Sequence, residues 1–414
     1  MIVNPGSTRL RARTVVIDDP GSLGSFMTPT DSTCMLHRGD GVVGIGEIAR
    51  FETDSPAAAD VWWEAFCAEL ENETELPGVF GTGPVAFGSF TFDPDRSSSR
   101  SVMIVPRTII GRRYGQSWLT QFSYDRVVSD PPRRQIRPRR PPSIDLTDGA
   151  ISAQRWRQVA AQAQYLLIPG GLERLVIMRD MLATSPLPID PRWIVGTLSR
   201  RFPDAWTYHV AGAVGTTSKL TVQVRDGLVT SRALTHAPGR RPQTEELLLD
   251  ALVGDGPLAA QHAEIVNAVR DALAPFCQAW HRPETPGLVA GPDASYLVSD
   301  VSGVTTGATS SLTILSALHP TAFVTGTPPW RAQAVLAEVE ELDRGRVSGP
   351  VGWVDAMGNG QWLSDCRGGQ LDAVDPRILH VFLGQPVGID DDPDALAADL
   401  ESQLATLTRL VTRS

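Results

Sequence analysis

Of the 37 lysines and arginines in this 414-residue chain, Lys219 is the single lysine. An amine matters chemically because burial can lower its pKa until it works as a base or a Schiff-base nucleophile. Arginine stays protonated and cannot. The competing structural reading of Lys219 is a strand lysine whose head reaches out to solvent. Other motifs are weaker. GDGVVG, Gly39 to Gly44, fits the glycine spacing of a dinucleotide loop, but IGEIARF continues it as a strand. Such a loop has to open a helix whose dipole meets the pyrophosphate, so a hairpin is expected. No G-x-x-x-x-G-K-[ST], G-x-S-x-G or H-E-x-x-H occurs. His262 and Glu264 share a helical segment, but residues two apart point to different sides and do not chelate together. The acidic run IDDDPD, Ile389 to Asp394, lacks the spacing of a calcium loop and reads as an acidic helix start. Cys34, Cys67, Cys277 and Cys366 are far apart with no CxxC pair, which suggests reduced thiols and a cytoplasmic protein.

The elements that must position these groups fall into two halves. Residues 1–130 alternate short apolar runs with turn signals (RTVVIDDPGSLG, DGVVGIGE, SVMIVPRTIIGRR), the pattern of strands and turns. One helix is expected there, at about 56–70, with Pro56 at its start. Residues 131–150 open with PPRRQIRPRRPPS, which cannot be a core strand and reads as a solvated connector. Residues 151–414 alternate helices and strands, with helices expected over AQRWRQVAAQAQYLL, PRWIVGTLSRR, AAQHAEIVNAVRDALAPFCQAW, PWRAQAVLAEVEELDRG and about 393–412. No repeat of 20–50 residues is visible. The fold class is α+β, large antiparallel sheets with helices outside, forming one integrated domain. A formal net charge of −10 argues against nucleic acid as partner. No apolar run reaches membrane-spanning length.

Several segments resemble the chorismate-binding enzymes, a family that includes isochorismate, salicylate and anthranilate synthases. They are LERLVIMRD (172–180), QHAEIVNAVRDALAPFC (261–277), YLVSDVSGV (296–304), LHPTAFVTGTP (318–328) and ELDRGRVSGPVGWVDAMGNGQW (341–362). Upstream, LHRGDGVVGIGE and PVAFGSFTFDP are similar to actinobacterial isochorismate synthases. The resemblance implies two large antiparallel sheets packed as a sandwich, with the active site in a cleft of the core.

It also implies a changed active site. The family's base lysine falls on Arg174 and its acid glutamate on Lys219. The metal-binding glutamates fall on Gln261 and Gln361, and on Leu396 and Asp399 near the C-terminus. Substrate-fixing positions fall on Tyr296 and His236, with Val347 and Pro386 in place of a tyrosine and a donor amide. Arg367 matches the family's carboxylate-binding arginine. The expectation is therefore a metal-free site, with no cofactor and no Mg²⁺. Lys219 and Arg174 would be catalytic, and Arg367, Tyr296, His236, Gln361 and Gln261 would bind substrate. A cluster of three cations would need an anionic ligand to compensate it. The activity expected is an isomerase, lyase or cyclase acting on a small anionic or polyene-like metabolite, by shape and fixed charge, in a monomer or homodimer. A non-catalytic pseudoenzyme and a true isochorismate synthase stay open as alternatives.

Overall fold

The computed structural model describes residues 9–124, 130–167, 171–237, 256–290 and 295–412. Among these, strands from both halves of the chain interleave in two sheets. The larger has thirteen strands and includes Arg11–Ile17, Ser32–His37 and Asp40–Ile45 from the first half, and Arg174–Thr184, Ala213–Thr217, Arg367–Leu371 and Ile378–Gly388 from the second. The other has ten, and joins Val85–Ser89 and Ser101–Val105 to Leu220–Arg225, Leu228–Ala237, Ser295–Thr305, Val351–Asp355 and Gly360–Leu363. This is the expected α+β sandwich.

The sequence explains the packing. Trp118, Trp353, Trp362, Phe87, Met103 and Ile109 are fully buried between the sheets. Each large apolar side chain withdrawn from water contributes roughly 1.5–3 kcal/mol. Helices Ala153–Leu167, Pro191–Arg201 and Pro393–Thr412 cover the outer face of the larger sheet. In the first of these, Trp156, Val159, Ala160, Ala163 and Leu167 are buried, the spacing of one helical face. Helices Pro56–Ala68, Gly256–Leu273 and Ser311–Leu318 lie against the ten-stranded sheet. Ser55 and Ser310 cap two of them by accepting from Ala58 N and Thr313 N.

The glycine-rich motif is a hairpin. Ser32–His37 pairs antiparallel with Asp40–Ile45. Arg38 and Gly39, both at positive φ, form a turn of the sense that suits hairpin twist. Three sequence expectations are corrected. The helix read through Trp280 stops at Leu273. Pro275 lacks the N–H a helix interior needs, and Cys277–His281 instead pairs with Ser295–Thr305. The helix read through Gly345 ends at Val339, and beyond it Glu340 and Arg344 form a buried ion pair. The last part of the connector, Asp145–Asp148, is an edge strand on Arg174–Thr184, while 131–143 carries no regular structure.

Candidate active-site cleft

Strands Arg174–Thr184, Arg367–Leu371 and Ile378–Gly388 lie side by side, and their ends form one wall of a cleft. Helices Gly256–Leu273 and Ala322–Thr325 and strand residues Leu234, Thr235 and Tyr296 close it. The cleft brings together Arg174, Gln261, Tyr296 and Arg367, four of the residues singled out in the sequence. Its lining also includes Thr235, Phe323, Cys366, Gln385, Pro386 and Gln403, and no carboxylate is among the described residues there. The space open to water centres is about 50 Å³, enough for a few waters.

Arg174 is delivered to the cleft by a tight strand crossing. Gly326–Thr327 pairs with Arg174 and Leu175, and Gly326, at φ 136°, leaves no room for a Cβ against the Arg174 carbonyl. With its amide oxygen facing the guanidinium, Gln261 accepts from Arg174 Nη1 and Nη2 at 2.9 and 3.2 Å. Burial pulls the Arg174 pKa down, and the charges of Asp391 and Glu173 oppose that shift. Burial pushes the neighbouring Glu173 up, and Glu264 adds to this. Behind the strand, Arg344 and Glu340 form a buried pair at 2.6 Å. Arg344 donates to the carbonyls of Val324 and Val176 at 2.7 and 2.8 Å, and Glu340 accepts from Met178 N at 2.9 Å. These bonds fix both strand and short helix relative to the cleft.

Lys219 lies in the link between strands Ala213–Thr217 and Leu220–Arg225, not on a strand. Arg174 lies farther across the sheet, with Ile378–Gly388 and Arg367–Leu371 between its strand and Ala213–Thr217. The Lys219 side chain is buried and its Nζ forms an ion pair with Asp365. The same Nζ stands 3.6 Å from the centroid of the Phe323 ring and 5.4 Å from that of Tyr296. Both rings line the cleft, whereas Lys219 does not. A ligand is therefore not needed to compensate Lys219, and the expectation of three uncompensated cations is corrected. Asp365 supplies the charge, and a neutral amide meets Arg174.

The remaining candidates are dispersed. Gln361 is buried in Gly360–Leu363 and donates to Gln223 Oε1 at 2.9 Å, outside the cleft lining. His236 is registered opposite Tyr296, and its side chain lies outside the described residues. His262, next to Gln261, sits between Thr235 Oγ1 at 2.8 Å and Ser299 Oγ at 2.9 Å, and burial pushes its pKa down to about 4. It is a neutral core histidine. Asp399 stands behind the cleft amides, accepting from Gln403 Nε2 at 2.7 Å. Among the described residues no group of three or more His, Cys, Asp and Glu is placed to hold a metal ion. Guanidiniums and amides do not suit Mg²⁺, a hard cation held through carboxylates. Sequence reading missed Phe323, Asp365, Gln385 and Gln403. Only Asp365 carried a signal, an acid two residues before Arg367 in a segment otherwise read for its arginine.

Comparison with known proteins matches residues 34–395 to a family described as chorismate binding enzyme. The chain belongs to the chorismate-binding enzyme family. It is 27% identical over 344 residues to the putative isochorismate synthase MenF of Mycobacterium tuberculosis, spanning 79% of this chain and 86% of that protein. It is 27% identical over 350 residues to the isochorismate synthase EntC of Escherichia coli, spanning 81% and 83%. Among solved structures, the menaquinone-specific isochorismate synthase MenF from Escherichia coli superposes with TM-score 0.79 at 17% identity, covering 98% of this chain and 96% of that one. A putative 2,3-dihydroxybenzoate-specific isochorismate synthase, DhbC from Bacillus anthracis, gives 0.74 at 21%, covering 95% and 99%. At these identities the structural likeness establishes the shared fold.

Proposed function

We propose that this member of the chorismate-binding family works without a divalent metal on a small anionic metabolite, as an isomerase, lyase or cyclase. The observation that carries the reading is the lining of the cleft: two guanidiniums and three carboxamides, with no described carboxylate. Arg367 and Arg174 would receive the ligand's carboxylates, Arg367 through the planar fork that fits them. Fixed cations also stabilise charge that builds up in a transition state. Exchange of a hydroxyl for water in this family's manner needs a base lysine and an acid carboxylate, and neither is among the described residues that line this cleft. A rearrangement or elimination within one molecule needs only a pocket that holds the reactive conformer. The aromatic faces of Tyr296 and Phe323 would supply part of that shape.

A second reading has its own support. Lys219, the one amine, is tied to Asp365 and covered by Phe323, so the cleft could bind a ligand and catalyse nothing. Incubation with chorismate in EDTA and again in Mg²⁺, with products separated by chromatography, tests both. A rearranged isomer or released pyruvate, formed equally in the two conditions, supports the proposal. Binding without product favours the non-catalytic reading. Mg²⁺-dependent isochorismate at about 1 per second or faster, an ordinary enzymatic rate, overturns both.

A further inference from the structure

Lys219 and Asp365 occupy equivalent places in the topology. The chain leaves the thirteen-stranded sheet at Thr217 and joins the ten-stranded sheet at Leu220. It makes the reverse crossing between Leu363 and Arg367. The two crossings run alongside each other. Leu220 is registered with Leu363, Val214 with Gly369, and Thr221 Oγ1 donates to Ser364 Oγ at 3.0 Å. The ion pair spans them in the interior, where neither side chain is more than 8% exposed. On one side it is followed directly by Cys366 and Arg367, both in the cleft wall. On the other, Lys219 Nζ faces the Phe323 ring.

We propose that Lys219 and Asp365 are positioning residues that set the electrostatic potential of the cleft, Lys219 holding the Asp365 carboxylate away from Arg367. Asp365 is two residues from the guanidinium that receives the ligand. Left without its amine, this carboxylate would oppose an incoming anion and draw on Arg367. Left without its carboxylate, the amine would add positive charge behind Phe323. At an effective dielectric constant near 20, interior charges even about 10 Å apart interact strongly enough to change an equilibrium by about tenfold. The pair therefore makes opposite predictions for its two members, whereas a purely structural tie predicts loss from either. The proposal rests on the reading of the cleft as an anion-binding pocket.

The decisive readout needs no ligand. Cys366 lies between Asp365 and Arg367 in sequence and, though only 3% exposed, lines the cleft, and only its thiolate reacts with the small neutral reagent iodoacetamide. The rate of Cys366 alkylation at pH 7.5, followed by peptide mass spectrometry, reports the local potential. Lys219→Met should slow it by about tenfold and Asp365→Asn should speed it. The pair Lys219→Met/Asp365→Asn should return near the parent rate. Loosening of the fold would instead speed alkylation in both single variants, and that result overturns the proposal. So does a rate unchanged in both, or a native Cys366 inert at every pH. Calorimetric titration of chorismate into the same proteins separates the two claims. Failure of the parent to bind, with the alkylation pattern intact, refutes the anion-pocket reading and leaves the pair standing.

Discussion

Acid should weaken this fold along a slope set by identifiable histidines. His209 is buried and His319 is partly buried, and loss of water around them pushes both down to about 4 from an ordinary 6.5. His209 Nδ1 and His319 Nδ1 lack hydrogen-bond partners, so no acceptor rewards a second proton. Above pH 6.5 both are neutral whether the chain is folded or not, and their contribution to stability is complete. Between 6.5 and 4 the unfolded chain takes up their protons and the folded chain does not, so stability falls with pH. Each histidine removes about 1.4 kcal/mol per pH unit in that window, or about 3 kcal/mol across it. Asp355 works in the opposite sense. Burial raises its carboxyl to about 6 despite hydrogen bonds from Met357 N, Gly81 N and Asn359. From pH 6 down to 3.8 the folded chain holds a proton there that the unfolded chain lacks. These three groups net about one proton, and His262, also pushed down to about 4, brings the total to about two, or about 3 kcal/mol per pH unit. Urea unfolding followed by tryptophan fluorescence at pH 7.0, 5.5 and 4.5 measures the slope. His209→Leu and His319→Asn should each flatten it by about one proton. An unchanged slope in both variants would refute the assignment.

Other expectations concern the frame of the cleft. Arg344→Met leaves Glu340 charged and buried and should cost about 3–5 kcal/mol, read as a lower urea midpoint with an unchanged m-value. Gly326→Ala places a Cβ against the Arg174 carbonyl at an unfavourable φ and should destabilise by about 1–3 kcal/mol. Millimolar Mg²⁺ should leave the melting temperature where it is, because a ligand that binds the native state raises it by mass action. An EDTA-reversible rise would reveal a carboxylate site.

The architecture was legible because its signals are local or repeated. The buried face of Ala153–Leu167 follows from apolar spacing, and the hairpin at Gly39 follows from the strand that continues beyond it. The stops at Leu273 and Val339 were harder. Apolar periodicity runs on past Pro275, and only pairing with a strand some twenty residues later decides the conformation of Cys277–His281. The cleft divides in the same way. Arg174, Gln261, Tyr296 and Arg367 were brought together by a resemblance that aligns whole segments. The partner of Lys219 was not legible, because Asp365 lies far along the chain and meets it only where two sheet crossings run side by side. Reading residues one at a time left Lys219 as an uncompensated cation. Gln403 carries no motif, and Phe323 lies in LHPTAFVTGTP without a chemical role of its own there; only the packing of their helices aims them into the cleft.

The central claim is that this cleft receives an anion through its own arginines and without a divalent metal. Calorimetric titration of chorismate tests it most directly, performed in EDTA, in millimolar Mg²⁺, and with Arg367→Ala. The account predicts the same affinity in EDTA and in Mg²⁺ and a loss of at least tenfold in the variant, since a charge-assisted bond is worth about 1.5–3 kcal/mol. Binding that appears only with Mg²⁺, or that survives Arg367→Ala undiminished, would contradict it.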